Sequence, residues 1–276
     1  MSEKKELVVQ SNLIVEASYR LTLVEQQIIL FSICRAREEQ RGITEDTLVT
    51  IPALDFSAMF GVNENTVYRD LKAAMARLFD RYVVIHDTHP ETGKPRTTKV
   101  RWVSRASYID GAGAVQLRFA VDMVPYITRL EREFTAYRLE KIGQLSSVHA
   151  VRIYELLVQY ISLGKREIEI SWLKNTLQVT EEYPRIVDFK KRVIDSSVKQ
   201  INAHTDITTS YTQRKTGRNV THLNFKIDAK EVVPKAVKRP SLTRAYVEKH
   251  ALPGESWEVA RERLRAERAK VSKGSA

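Results

Sequence analysis

Residues 185–202, RIVDFKKRVIDSSVKQIN, carry the sharpest structural signal in the chain. On a helical wheel, the apolar side chains fall on one side and most of the charged side chains on the other. The apolar side consists of Phe189, Val193, Ile194, Ser197, Val198 and Ile201. The charged side consists of Arg185, Asp188, Lys191, Arg192, Asp195 and Lys199, whereas Lys190 lies beside the apolar stripe. The pattern predicts a helix that buries one face and presents a basic face.

The elements around this helix follow the order of a winged helix. A helix beginning at Ser147 comes first, followed by a strand at residues 167–170 and a short helix at 172–177. After the long helix, two strands flank the tight turn Lys215-Thr216-Gly217-Arg218. The short and long helices would form a helix-turn-helix, whose second helix enters the DNA major groove, and the hairpin would be the wing.

The same order occurs earlier in the chain. Thr22 and Glu25 have the spacing of a capping box at the start of a helix over residues 22–39. Gly61 supplies a turn between two further helices, and the hairpin tip Thr92-Gly93-Lys94 matches Thr216-Gly217-Arg218 in type. The remaining elements of this copy are predicted at residues 48–51, 54–60, 64–79, 82–85, 99–103 and 115–119. We therefore predict an α+β fold with tandem winged-helix domains.

This repeat divides the chain into four parts. We predict an N-terminal segment at 1–20, a first winged helix at 21–140, a second at 141–230 and a basic tail at 231–276. Residues 1–140 carry 19 basic and 19 acidic side chains, and residues 141–276 carry 26 and 15. The whole net charge of +11 therefore lies in the second half, which favours a nucleic-acid surface there. A basic surface that contacts only solvent would have the same composition.

Several classes of protein are disfavoured by the sequence. Four of the first six residues are charged and no apolar stretch long enough for a signal peptide follows them at once, so we expect no secretory signal. The strongest apolar run, Ile28-Ile29-Leu30-Phe31, is far shorter than the roughly 20 residues of a membrane span. The single cysteine, Cys34, permits no intramolecular disulfide and no cysteine-based metal site. We expect a cytoplasmic protein that binds no membrane, no metal ion and no cofactor.

Basic and polar residues of both copies are predicted to contact DNA. Lysine and arginine reach phosphates, and arginine reads guanine through two hydrogen bonds. In the second copy these residues are Arg185, Lys190, Lys191, Arg192, Lys199, Arg214, Lys215, Arg218 and Asn219. In the first copy they are Thr66, Tyr68, Arg69, Lys72, Lys94 and Arg96, although an ordinary solvated surface would look the same there.

Signals of an enzyme are poor. His86 and His89 lack the spacing of a metal-binding pair, and no glycine-rich phosphate loop is present. We therefore predict a protein that is not an enzyme. The alternative from another class is a nicking endonuclease with a tyrosine nucleophile, for which Tyr154, Tyr160 and Tyr211 are the nominal residues.

The sequence resembles one known family, the initiator replication (Rep) proteins of iteron-containing bacterial plasmids. The resemblance covers roughly residues 8–228. It rests on the segments Val9-Gln10-Ser11-Asn12-Leu13 with Leu21-Thr22-Leu23-Val24-Glu25-Gln26-Gln27, Ser146-Ser147-Val148-His149-Ala150-Val151-Arg152-Ile153-Tyr154-Glu155-Leu156-Leu157, and Phe189-Lys190-Lys191-Arg192-Val193-Ile194 with Val198 and Ile201-Asn202. The basic tail lies outside it.

The resemblance implies a function and partners that composition does not give. It implies binding to directly repeated sequences in double-stranded origin DNA, opening of adjacent AT-rich DNA, and recruitment of the host replication initiator and helicase. It also implies that homodimers repress the initiator's own gene while monomers start replication. A winged-helix transcriptional repressor without initiator activity is the alternative within DNA binding.

The neutral first half is a natural surface for dimerisation, because a field near zero does not oppose bringing two copies together. We expect the helix at 22–39 and the strands at 99–103 and 115–119 to contact the second copy. An unpaired strand edge is a ready template for another chain, which is why the two strands are expected to take part.

Overall fold

The computed structural model describes residues 7–38, 43–109, 111–128, 134–230, 258–259 and 261–265. Residues 1–230 form one compact unit and residues 231–276 another. In the smaller unit, residues 258–259 and 261–265 are helical, and the rest of the predicted basic tail lies outside the described residues. Within the described ranges, no helix is both long and apolar enough to cross a membrane.

The first half of the larger unit contains the predicted helix-turn-helix and hairpin. Its helices are α1 (Asn12–Glu16), α2 (Leu23–Glu38), α3 (Ala53–Phe60), α4 (Val67–Leu78) and α5 (Val124–Ile127). Its strands are β1 (Leu7–Ser11), β2 (Ser18–Tyr19), β3 (Val49–Pro52), β4 (Tyr82–Thr88), β5 (Pro95–Arg101), β6 (Val103–Ile109), β7 (Ala114–Phe119) and β8 (Phe134–Arg138). Helices α3 and α4 form the helix-turn-helix, and β4 and β5 form the wing.

Two local features of the first half form as the sequence predicted, a capping box and a glycine turn. The Glu25 amide donates to Thr22 Oγ1 at 3.3 Å, and the Thr22 amide donates to Glu25 Oε2 at 3.0 Å, which completes a capping box at the start of α2. Gly61 ends α3 with φ of 63°, in the left-handed region that a glycine enters without a Cβ clash. Both predictions are confirmed.

The prediction that residues 115–119 offer a free strand edge is wrong. Strand β7 lies in the middle of a three-stranded sheet with the order β3-β7-β6, so its backbone is paired on both sides. The predicted strand 99–103 is also two strands, β5 and β6, which are separated by the buried Trp102. Helix α2 is buried from Glu25 to Cys34, so this stretch has no free face for a second copy. The edges of this sheet are β3 and β6, and β6 carries the more exposed side chains of the two.

The described part of the N-terminal segment is built into the sheets of the first half. Strand β1 pairs antiparallel with β8, and Leu7 lies opposite Arg138. Strand β2 pairs with β4 and adds a third strand to the wing sheet, which has the order β2-β4-β5. These pairings join residues that are far apart in sequence, so no local pattern announces them.

The second half of the larger unit is a winged helix in the predicted order. Its helices are α6 (Val148–Val158), α7 (Ile170–Thr176) and α8, a continuous helix made of Ile186–Phe189, Lys190–Asp195 and Ser196–His204. Its strands are β9 (Lys165–Glu169), β10 (Ile207–Thr216) and β11 (Asn219–Ala229), in the sheet order β10-β11-β9. Strands β10 and β11 form the second wing. Gly164 with φ of 67° ends the turn that precedes β9.

Helix α6 lies at the junction of the two halves and is buried on every side from Ala150 to Leu157. A helix that is buried all round normally carries only apolar side chains. This one carries Arg152 and Glu155, whose side chains are 4% and 0% exposed and lie 3.1 Å apart. Buried charges are tolerated only where they are paired and hydrogen-bonded.

A buried polar network of six side chains surrounds this pair and bonds to most of its polar atoms, although Arg152 Nε is buried without a hydrogen-bond partner. Its members are Gln10, Tyr19, Gln26, Tyr137, Arg152 and Glu155. Glu155 accepts from Tyr137 Oη at 2.6 Å and from Gln10 at 3.1 Å, while Arg152 donates to Tyr19 Oη and, at 2.9 Å, to the carbonyl of Ala17. Burial and the neighbouring carboxylate raise the pKa of Tyr137, so its phenol remains a donor. The network ties α6 to β1, β2, α2 and β8 of the first half.

Candidate DNA interface

Helix α8 separates its apolar and charged side chains as the wheel predicted. Phe189, Val193, Ile194 and Ile201 are 0% exposed, and Ser197 is 1% exposed. Arg185, Lys191, Arg192 and Lys199 are all exposed, and Lys190 is half-buried beside the apolar stripe. The structure therefore brings four cations to one open face of the helix.

Not all of these cations are equally available to a phosphate. Arg185 Nε lies 2.6 Å from Asp188 Oδ2, and this contact holds the pKa of Asp188 below its usual range. Among the described residues, no carboxylate lies within 4 Å of the Lys191, Arg192 or Lys199 side chain. These three side chains are the best placed on α8 to reach DNA.

The middle of α8, Lys190–Asp195, is a π-helix. Its hydrogen bonds run from i to i+5, which widens the turn, and such turns occur frequently at functional sites. The widened turn carries Lys190, Lys191 and Arg192. At its end, Tyr211 of β10 donates to Asp195 Oδ1 at 2.6 Å, so the wing is bonded to the helix. Burial and this carboxylate raise the pKa of Tyr211, which keeps the phenol as the donor.

A buried lysine of α7 holds the segment that leads into the first turn of α8. Lys174 of α7 is 8% exposed, and its ammonium donates to the carbonyls of Tyr183 at 2.7 Å and Pro184 at 3.1 Å. These carbonyls belong to the two residues before Arg185, the N-cap of α8. Burial lowers the pKa of Lys174. The anchor fixes the direction in which the helix leaves the turn.

The tip of the second wing is open and basic. Gly217 has φ of 62° and closes the turn, and Lys215, Arg218 and Asn219 around it are exposed. Arg214 lies further down the strand and forms an ion pair with Glu167 of β9 at 2.8 Å. The two tip cations are therefore free to move toward a phosphate, while Arg214 is already engaged.

The predicted residues of the first helix-turn-helix are more strongly engaged by their own neighbours. Thr66 is the N-cap of α4, and Tyr68 is half-buried against the core. Arg69 pairs with Asp70 at 3.2 Å, and the Lys72 ammonium lies 5.3 Å from the centre of the Tyr108 ring. Arg69 and Lys72 remain exposed, so the face is basic but less open than that of α8.

The first wing contrasts with the second. Arg96 donates to both carboxylate oxygens of Asp87 on the paired strand, at 2.8 and 2.5 Å. The hydrogen bonds from Arg96 lower the pKa of Asp87, so the pair stays charged. Lys94 is exposed at the tip, where the His89 ring accepts from the amides of Glu91 and Thr92. Lys94 is thus open to a partner and Arg96 is held by its own hairpin.

Sequence reasoning missed three features of this surface. Val187 in the first turn of α8 is 69% exposed. Lys174 and Tyr211 act through contacts with other elements, and no spacing within the sequence reveals such contacts. On an ideal helical wheel Val187 falls between Ile194 and Val198 on the apolar side, so no pattern in the sequence predicted its exposure. Among the described residues, no group of three His, Cys, Asp or Glu side chains could hold a metal ion.

Comparisons with known proteins match this architecture. The family model "Initiator Replication protein, WH1" matches residues 7–158, and "Initiator Rep protein, WH2" matches residues 169–227. An uncharacterised 27.6 kDa protein of Escherichia coli is 24% identical over 224 residues, which cover 78% of this chain and 92% of that protein.

One solved structure agrees in fold over most of the chain. The crystal structure of the Pi initiator protein in complex with iteron DNA is similar with a TM-score of 0.68 and 19% identity, covering 83% of this chain and 99% of that one. The WH1 domain of the replication protein MSBI1.176, isolated from a multiple sclerosis patient, is 39% identical over 43% of this chain and 88% of its own, with a TM-score of 0.36. With models of both winged-helix domains matched in order, the chain belongs to the initiator replication protein family and is a DNA-binding plasmid replication initiator.

Proposed function

We propose that this initiator binds directly repeated double-stranded DNA at a replication origin, with α8 in the major groove and the second wing on the adjacent backbone. The observation that carries the proposal is the open cationic face of α8 beside the basic tip of the wing. Second helices of helix-turn-helix units enter the major groove in this way. The relative named for its complex with iteron DNA supports repeats as the target.

The first winged helix adds a second, weaker contact in this proposal. Arg69, Lys72 and Lys94 are exposed cations of its second helix and wing tip, and each half contributes one helix-turn-helix. Paired recognition helices contact successive major grooves about 34–36 Å apart. One monomer would then cover about two turns of a repeat without needing a palindrome.

Origin opening, recruitment of the host initiator and helicase, and repression by a homodimer complete the proposal. They follow from family resemblance, and the exposed edge strand β6 supports dimerisation through the first half. A two-fold dimer suits an inverted operator, whereas a monomer suits direct repeats. We place this activity in the cytoplasm, where plasmid DNA is found.

We also propose that the protein is not an enzyme. A tyrosine that attacks DNA must be accessible. Tyr154 is 0% exposed and bonds to Asp206 at 2.9 Å, and its pKa is raised by burial. Tyr211 donates to Asp195, and the ring of Tyr160 lies under the guanidinium of Arg166 at 4.4 Å. These engagements favour an initiator over a nicking endonuclease.

Two substitutions on α8 test the proposal. If Arg192 reads a base, Arg192→Ala costs about 1–3 kcal/mol of binding and relaxes the preference at one position. Lys191→Ala, if it contacts a phosphate, weakens binding to all sequences alike and lowers the salt slope by about 1. The control is Lys226→Ala, an exposed lysine paired with Asp228 and nearer the base of the same wing. Unchanged affinity and salt slope in both α8 variants would remove α8 from the interface.

The activity is tested with supercoiled plasmid that carries the replicon's own origin. Melting beside the protected repeats without a nick supports the initiator. Binding without melting supports the repressor, and a nicked product linked to the protein supports the endonuclease.

A further inference from the structure

Val187 is the most exposed large apolar side chain among the described residues, at 69%. Single exposed apolar residues are common on protein surfaces. This one, however, lies in the first turn of α8, and the first residues of a recognition helix are those that contact base edges. It is also β-branched, and valine is a weaker helix former than alanine or leucine at an exposed helical position. Neither core packing nor helix propensity accounts for a valine here.

The neighbours of Val187 give the surface its charge. Lys191 follows four residues later, so the two side chains are neighbours along one face of the helix. Asp188, which is paired with Arg185, directly follows Val187 and lies around the helix in the same direction as Lys191. Exposed cations on the same helix favour a polyanion as the partner, and Val187 then faces the groove that the helix enters. The anchor by Lys174 sets the position of this first turn.

The chemistry of valine narrows what it can recognise. An isopropyl group neither donates nor accepts a hydrogen bond, so it cannot read guanine, cytosine or adenine through their polar groups. The C5 methyl group of thymine is the apolar feature of the major-groove edge. Contact between the two removes apolar surface from water on both sides.

We propose that Val187 determines sequence specificity by packing against the C5 methyl group of one thymine in the repeat. The inference rests on the proposed function, since it requires α8 to lie in the major groove. The inference goes beyond the proposed function because it names the base that is recognised, a thymine, and because the contact is apolar. Lys191 supplies attraction to the phosphates, and Val187 adds a second sequence-specific contact to the base contact proposed for Arg192.

The test uses deoxyuridine, which pairs as thymine does but lacks the methyl group. The wild-type chain first selects a duplex from a random pool, and each thymine of that duplex is then replaced singly by deoxyuridine. Affinity is measured by fluorescence anisotropy. At one thymine the wild type should lose about fourfold in affinity, the equivalent of about 0.8 kcal/mol for one buried carbon group. The Val187→Ala variant should bind the unmodified duplex more weakly and lose its sensitivity to that one replacement.

Leu163→Ala is the matched control. Leu163 is 66% exposed in the same half of the unit but lies in the turn before β9, away from α8. Its deoxyuridine profile should equal that of the wild type. The inference is overturned if no thymine of the selected duplex is sensitive, or if Val187→Ala keeps the wild-type profile. A wild-type chain that selects no sequence would instead overturn the proposed function, and this inference with it.

Discussion

Replacing Glu155 with glutamine should destabilise the larger unit more than any change on its surface. The side chain keeps its size, and its carbonyl oxygen can still accept from Tyr137. The negative charge that compensates Arg152 is lost, however, and Arg152 is only 3% exposed. Removing one partner of a buried pair typically costs about 3–5 kcal/mol, because the other charge is left uncompensated. That is a large part of the roughly 5–15 kcal/mol that stabilises a folded domain.

Urea unfolding followed by circular dichroism measures the effect. The free energy of unfolding falls with urea concentration by about 3 kcal/mol per M at the upper end for small proteins. The urea concentration at the unfolding midpoint should therefore fall by about 1 M or more. The double variant Arg152→Met with Glu155→Gln should be more stable than Glu155→Gln alone, because no charge remains buried without a partner. Asp70→Asn, which breaks an exposed pair with Arg69, is the control and should leave the midpoint unchanged.

Two results would contradict this prediction. One is a loss of less than about 1 kcal/mol in Glu155→Gln, which would mean that the pair at the junction is not a stabilising contact. The other is a double variant as unstable as the sum of its two single variants, which would mean that Arg152 and Glu155 act independently.

Two further predictions concern the turn before α8 and the sheet edge. Gln178 has φ of 55° in the turn after α7, so Gln178→Gly should relieve a left-handed conformation and raise the melting temperature by about 2 °C; a fall in thermal unfolding experiments would contradict this. Tyr108→Lys places a charge on the edge strand β6 and should raise the monomer fraction in sedimentation velocity. Tyr82→Lys is matched to it, since each tyrosine ring lies under a lysine, but Tyr82 is on β4, which has a strand on both sides. Equal monomer fractions in the two variants would move the dimer contact away from β6.

The parts of the fold that sequence reasoning found are those with local causes. The capping box at Thr22, the left-handed glycine at position 61 and the two-sided wheel of α8 each depend on residues within a few positions of one another. Each is present in the structure as predicted. The order of helices and hairpins followed from these signals.

The parts that it missed depend on long-range contacts. Strand β1 pairs with β8, and Gln10 bonds to Glu155 across 145 positions. The prediction of a free edge at residues 115–119 was wrong for the same reason. Whether a strand lies at the edge or in the centre of a sheet depends on which distant strands pair with it. For the candidate interface, residue types and helix faces were predictable, whereas the engagement of Arg96 by Asp87 and of Arg214 by Glu167 was not.

The buried polar network limits how these winged helices could be exchanged between related initiators by recombination. A crossover in the segment before α6 would separate Arg152 and Glu155 from Gln10, Tyr19, Gln26 and Tyr137, and a mismatched polar group would then be buried without a partner. A crossover in the turn after α6, around residues 159–164, would keep all six together. The rest of the α6 surface is largely apolar, and apolar surfaces tolerate changes that conserve volume. For this network, helix α6 is thus inherited most safely with the first half, and a contact that such a crossover would still divide is the pair of Arg166 with Glu16 at 2.7 Å.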